Sequence, residues 1–226
     1  MSLKSRFLFS CLFLFLVLDL AAPVSAGDEV SLIIDAMRNR YGNAKGIAAD
    51  YTREAISKTM ALLETADRRD IAQGRLYFKP PYSLRLEQTT PQEELLVTDG
   101  QTLWWHVPQK KEVYKYPALE FGQELRLLSD IFMGLRDARA NFEIALESPP
   151  DADVLCLILK PDPPWPDIDH LEVMILRDDY TIKQVEIYNM VGGLTRFVFS
   201  GLQEKDRFED ALFSFSPPPG TKLREQ

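Results

Sequence analysis

The chain is poor in histidine and cysteine, with two of each in 226 residues. His106 and His170 stand at no metal-ligand spacing from each other or from a cysteine, so no metal site is expected. Asp167-Ile168-Asp169-His170 reads as a solvated loop before a strand, not as a cation site. Two cysteines cannot build a disulfide framework. Cys156, inside the apolar run Val154–Leu159, reads as a buried small hydrophobe. No G-x-S-x-G elbow, Walker loop or G-x-G-x-x-G is present. A Ser/His/Asp triad meets only in the fold, and His106 alone, in a strand, is thin support for an enzyme. Basic residues are also few, 26 against 34 acidic, for a net charge of −8. Bulk charge therefore offers no attraction to nucleic acid or to an anionic membrane surface.

Long apolar runs are confined to one place. Lys4 and Arg6 precede a nearly unbroken run, Phe7–Leu18, and Ala22-Pro23-Val24-Ser25-Ala26 ends in a small-x-small site. This is the pattern of a cleaved secretory signal peptide over residues 1–26. The run is well short of the roughly 20 residues that span a bilayer. Cys11 lies too close to Arg6, with the apolar run continuing after it, for lipoprotein processing to be the simpler reading. Export leaves residues 27–226 as a single domain, one unit of charge more negative because Lys4, Arg6 and Asp19 depart. That length suffices for one real core.

Period-2 and period-3.6 patterns divide the rest. Val30, Ile33, Ile34, Met37 and Tyr41 predict a helix over 28–41, ended by Gly42-Asn43. Strands are predicted at 46–58, 71–79, 82–88, 93–98, 101–107 and 112–116, with Glu64–Asp70 as a charged loop. A second helix carries Phe121, Leu125, Leu128, Phe132 and Leu135 at helical spacing. Strands resume near 140–147, 153–160, 168–176, 180–188 and 193–203, and Lys160–Asp169 is too proline-rich for regular structure. So many strands around one central helix imply a large antiparallel sheet that curls, closing or half-closing into a barrel.

Trp104 and Trp105 are neighbours in a strand, so they face opposite sides of the sheet. With Asp99-Gly100 as a two-residue turn, Val97 pairs with Thr102 and Leu95 with Trp104. A Thr89–Gln92 turn of two or four central residues then places Leu84, Leu86, Leu95, Val97 and Trp104 on one face, the larger apolar surface. That face is either an ordinary core or an apolar hollow capped by the central helix; periodicity does not separate the two.

The hairpin Asp99-Gly100-x-x-Leu103-Trp104, continuing to Pro108, resembles the D-G-x-x-[hydrophobic]-W-x-x-x-P hairpin of the LolA-type periplasmic outer-membrane lipoprotein carriers of Gram-negative bacteria. Gly74, Leu76, Pro81 and Pro91 match the family's G-x-L-x-x-x-x-P…P stretch, and Phe213-x-Phe215-x-Pro217-Pro218-x-Gly220 matches its closing motif. The order of these motifs, the central helix and the leader agree across residues 28–222.

The resemblance implies an α+β fold, mainly β: an incomplete antiparallel β-barrel with a helical lid over an apolar concave face. It places Leu84, Leu86, Leu95, Val97 and Trp104 on the lipid-binding concave face and Phe121, Leu125, Leu128, Phe132 and Leu135 on the lid. Trp105 then lies on the convex side, covered by local structure or available to a partner. Many carriers have an arginine directly before the proline at Pro81 that latches the lid; Pro80 stands there instead, leaving Lys79 or Arg85 as the possible latch. The implied function is a monomeric periplasmic shuttle, without cofactor or catalysis. It would take acylated lipoproteins from an inner-membrane ABC-type extractor to an outer-membrane acceptor lipoprotein. The alternatives are a same-fold carrier or sensor of another amphiphile such as a glycolipid, an acceptor-type lipoprotein anchored through Cys11, and an esterase using His106.

Overall fold

The computed structural model describes residues 26–57, 70–147 and 151–225. The leader, Cys11 and the charged stretch 64–69 lie outside the described residues. Helix α1 (Ala26–Tyr41) opens with Asp28 and Glu29 and ends with Arg38 and Arg40, each sign matched to the helix dipole. Its buried stripe is Val30, Ile33, Ile34, Met37 and Tyr41. At Gly42 a side chain would strike the Arg38 carbonyl, so the helix stops there.

Six strands follow: β1 (Ile47–Ile56), β2 (Asp70–Lys79), β3 (Ser83–Thr90), β4 (Glu94–Thr98), β5 (Thr102–Val107) and β6 (Glu112–Pro117). Three short helices interrupt them: α2 (Ala118–Phe121), α3 (Gln123–Phe132) and α4 (Ala138–Asn141). Then come β7 (Phe142–Glu147), β8 (Val154–Pro161), β9 (Ile168–Leu176), β10 (Ile182–Asn189), β11 (Leu194–Glu204) and β12 (Lys222–Glu225).

The twelve strands of the described residues form one open sheet in the order β12-β6-β5-β4-β3-β2-β1-β11-β10-β9-β8-β7. The first and last long strands meet in its middle, where β1 pairs antiparallel with β11. Among the described residues only β12 departs from the antiparallel pattern, pairing parallel with β6. Alternation gives the sheet two unlike faces. The inner face carries the main core: Leu76 and Phe78, Leu84 and Leu86, Val185 and Ile187, Phe197 and Phe199 all pack with the helices. The outer face of β1, β11 and β10 is polar, with Arg196 bridging Glu54 at 2.8 Å and Glu186 at 2.6 Å.

The single central helix expected over 121–135 is broken into the end of α2, all of α3 and a turn. Gly122 separates α2 from α3. Beyond Met133 the chain turns through Gly134 (φ 74°) and Leu135 (φ 55°), so Leu135 belongs to a turn although it is buried. A side chain at Gly134 would come within 2.6 Å of the Met37 carbonyl, so this turn seats the lid helices directly on α1.

Candidate functional site

The site is the inner face and the helix that covers it. α3 buries Leu125, Leu127, Leu128, Ile131 and Phe132. Phe132, with no exposed surface, stands between Phe78 of β2 (ring centroids 5.7 Å) and Phe199 of β11 (5.3 Å). One side chain thus spans the two halves of the sheet. The polar contacts that seat the lid are fewer. Thr195 donates from Oγ1 to Glu124 at 3.0 Å, Arg126 lies 4.7 Å over the Tyr82 ring, and the Ala118 N–H donates to the Gln101 carbonyl at 2.8 Å. Of the expected lid residues, Leu125, Leu128, Phe132 and Leu135 are buried in the core, three of them from α3; Phe121 ends α2.

The expected lipid face is corrected. Leu84 pairs with Thr98, Arg85 with Val97 and Leu86 with Leu96. The link from Gln88 to Glu94 therefore holds five residues, an odd number, where two or four central residues were expected. A one-residue slip sends every side chain of a strand to the other face. Leu84 and Leu86 share the inner face with Leu96, Leu103 and Trp105, whereas Leu95, Val97 and Trp104 face outward with Arg85. The next turn is also longer than expected. Thr98 pairs with Leu103, and Asp99 Oδ1 accepts from the N–H groups of Gln101 (2.9 Å) and Thr102 (2.8 Å). That shift is by two, so it leaves the faces unchanged.

The two tryptophans accordingly exchange roles. Trp105 is on the helix side, its indole N–H donating to Glu94 at 2.8 Å and its ring stacked on Tyr114 at 5.1 Å. Trp104 is on the outer face beneath the C-terminal segment, 5.6 Å from Phe215. This segment runs back across β2–β5 as a strap. Phe208 meets Tyr77 edge-on at 5.9 Å, and Phe213 is buried. The sequence signal for the strap was the closing Phe213-x-Phe215 motif, an exposed-looking pair of aromatics with no strand partner.

Lys79 and Arg85 belong to that strap. Lys79 Nζ is 2.7 Å from Asp210, and Arg85 donates to the Leu212 carbonyl at 3.2 Å. Both project from the outer face, with the sheet between them and the helices, so these contacts are made away from the lid. The only basic side chain of α3 is Arg126, and it packs on Tyr82 in the β2–β3 turn.

Three reactive groups lie on the outer face, away from the lid. His106 lies 5.6 Å from Phe215, and burial lowers its pKa, favouring the neutral ring. Burial first, and the charges of Glu172, Glu147 and Glu186 next, push the Cys156 thiol up to about 11. His170 stacks on Tyr188 at 4.3 Å beside Asp169 on the outer surface. Among the described residues, no group of three or more His, Cys, Asp or Glu side chains is placed to hold a metal ion.

A curled sheet whose apolar inner face is closed by a separately seated helix defines a protein built to enclose apolar matter. The chain belongs to the LolA family: the family described as outer membrane lipoprotein carrier protein LolA matches residues 43–216. It is 25% identical over 225 residues to an outer-membrane lipoprotein carrier protein of Nitrosospira multiformis, covering 99% of both chains. It is 26% identical over 206 residues to one of Methylibium petroleiphilum, covering 91% of this chain and 96% of that one. An uncharacterized conserved protein from Thermus thermophilus shares the fold, with a TM-score of 0.52 at 12% identity over 88% of this chain and 99% of that one. The family is one of carriers.

Proposed function

We propose that this chain is a periplasmic carrier, exported by cleavage after Ala26, that holds the acyl chains of lipoproteins against the inner face and carries them between membranes. Its partners are an inner-membrane ABC-type extractor and an outer-membrane acceptor, and it works as a single copy. Family membership supports the cargo class. The observation that carries the mechanism is that lid side chains occupy the surface the cargo needs: Leu125, Leu128, Ile131 and Phe132 fill the inner face themselves.

Loading is then an exchange. Each lid side chain leaving the core gives up roughly 1.5–3 kcal/mol, and each acyl methylene taking its place returns about 0.8 kcal/mol. Some two to four methylenes thus replace one side chain by the same arithmetic, so displacing the lid offsets part of the gain from burying the cargo. That offset tempers cargo affinity, which follows how often the lid is open. No bond is made or broken.

Native mass spectrometry of the protein purified from its own periplasm without detergent, followed by solvent extraction, tests this reading. The expected species is the chain beginning at Gly27 with a triacylated polypeptide bound. A glycolipid or phospholipid as the sole bound species, or steady hydrolysis of acyl esters by the purified protein, would overturn it.

A further inference from the structure

α3 has a second working face. Arg126, Leu127 and Asp130 recur at helical spacing beside the core stripe and line a cleft of about 440 Å³. The opposite wall comes from Asn141 and Phe142, where α4 passes into the edge strand β7, and from Trp165 in the loop before β9. The cleft therefore lies at the seam between the lid and the sheet edge, on the side where the barrel stays open.

Its lining is ordered and two-sided. Phe142 and Trp165 meet edge-on at 5.4 Å and pack against the core, while Leu127 is itself a core residue, so the floor is continuous with the inner face. Above the floor sit one cation, one anion and one amide. Arg126 is fixed over Tyr82, and the Asn141 side-chain amide donates to the Asp137 carbonyl at 3.0 Å. Burial raises Asp130 to about 6 against the opposing pull of Arg126, so a charge brought here without a partner is costly. The volume suits one ligand moiety within the roughly 300–1,000 Å³ of small-molecule sites, and the other acyl chains need the inner face itself.

We propose that this cleft is the head-group subsite of the carrier, taking the neutral, amide- and ester-bearing junction of an N-acylated, lipid-modified cysteine. Arg126 donates to its carbonyl oxygens, and Asp130 accepts its amide N–H. The proposal rests on the carrier function above and adds a selectivity to it. A phospholipid has the same acyl chains but an anionic phosphate, and pairing it with Arg126 brings it against the Asp130 carboxylate one helical turn away. Asp130 is thus the element that disfavours anionic phospholipids, by like-charge repulsion.

The test is displacement of a bound apolar fluorophore from the protein purified from the periplasm. The displacing lipids are a synthetic triacylated lipopeptide and, separately, phosphatidylglycerol of matched chain length. In the wild type the lipopeptide is expected to win. Asp130→Asn keeps the shape and should strengthen phosphatidylglycerol about tenfold, a modest share of what one like-charge contact costs, while weakening the lipopeptide by the loss of a charged acceptor. Arg126→Gln should weaken the lipopeptide by about tenfold, the size of one lost charged hydrogen bond. Equal changes for both lipids in Asp130→Asn, or no change for either, would overturn the subsite while leaving the carrier function standing. A wild-type protein from which the lipopeptide displaces nothing would overturn both.

Discussion

Phe132→Ala separates competition by the lid from ordinary core packing. The ring has no exposed surface and touches both Phe78 and Phe199. Truncating such a side chain costs about 3–5 kcal/mol in a closed core. In the open state the ring is out of the core, so the loss falls on the closed state alone. About 3 kcal/mol corresponds to roughly a hundredfold shift of the lid equilibrium toward open. Apparent affinity scales with the open fraction until that fraction approaches one. The expected result is therefore a gain of about tenfold or more in affinity for a triacylated lipopeptide, up to that ceiling. Transfer to an acceptor should slow in step, and urea unfolding should occur at lower denaturant. Val113→Ala is the control. Val113 is equally buried but pairs with His106 on the outer face, so it should lose stability without gaining affinity. If Phe132→Ala lost stability and bound lipopeptide no better than the wild type, the lid and the cargo would not share a surface, and the exchange mechanism would be wrong.

Other outcomes follow from the two-faced sheet. Leu86→Ala should change lipopeptide affinity, whereas Trp104→Ala should leave it intact and expose the strap to limited proteolysis near Phe215; equal effects on affinity would return Trp104 to the lipid face. Arg85→Ala should speed hydrogen exchange over residues 208–215 without altering cargo binding, and an altered release rate would revive Arg85 as a lid latch. Asp130 makes a pH-dependent contribution: burial raises its pKa, Asp137 adds to that, and Arg126 and Tyr82 offset part of it. Its folded pKa, about 6, lies above its usual 3.8, so the folded state binds the proton more tightly and loses stability as pH rises through that interval. Asp130→Asn should accordingly be more stable than the wild type at pH 7.5, with the difference vanishing near pH 4; a gap independent of pH would refute burial as the cause.

Sequence by itself determined the elements and their class. The stripe of Val30, Ile33, Ile34, Met37 and Tyr41 specifies α1 because helical burial repeats on a fixed period, and alternation specifies most of the sheet for the same reason. The lid stripe through Leu125, Leu128 and Phe132 was equally legible. Its interruption was not, because Gly122 and Gly134 are decided by close approach to backbone, including that of α1, far away in sequence. Tertiary structure alone decided which side of the sheet each strand presents. Leu86 and Leu95 are both apolar and both in strands, and only the parity of the link between them separates inside from outside. That link has five residues because β3 continues past Gln88 to pair Thr90 with Gln73 across a bulge, where a side chain on Gly74 would strike the Glu87 carbonyl. The same parity sends Lys79 and Arg85 to the strap, and it places Trp105, not Trp104, on the inner face. A local pattern fixes how often side chains alternate; only the register against a neighbouring strand fixes which of them meet the core.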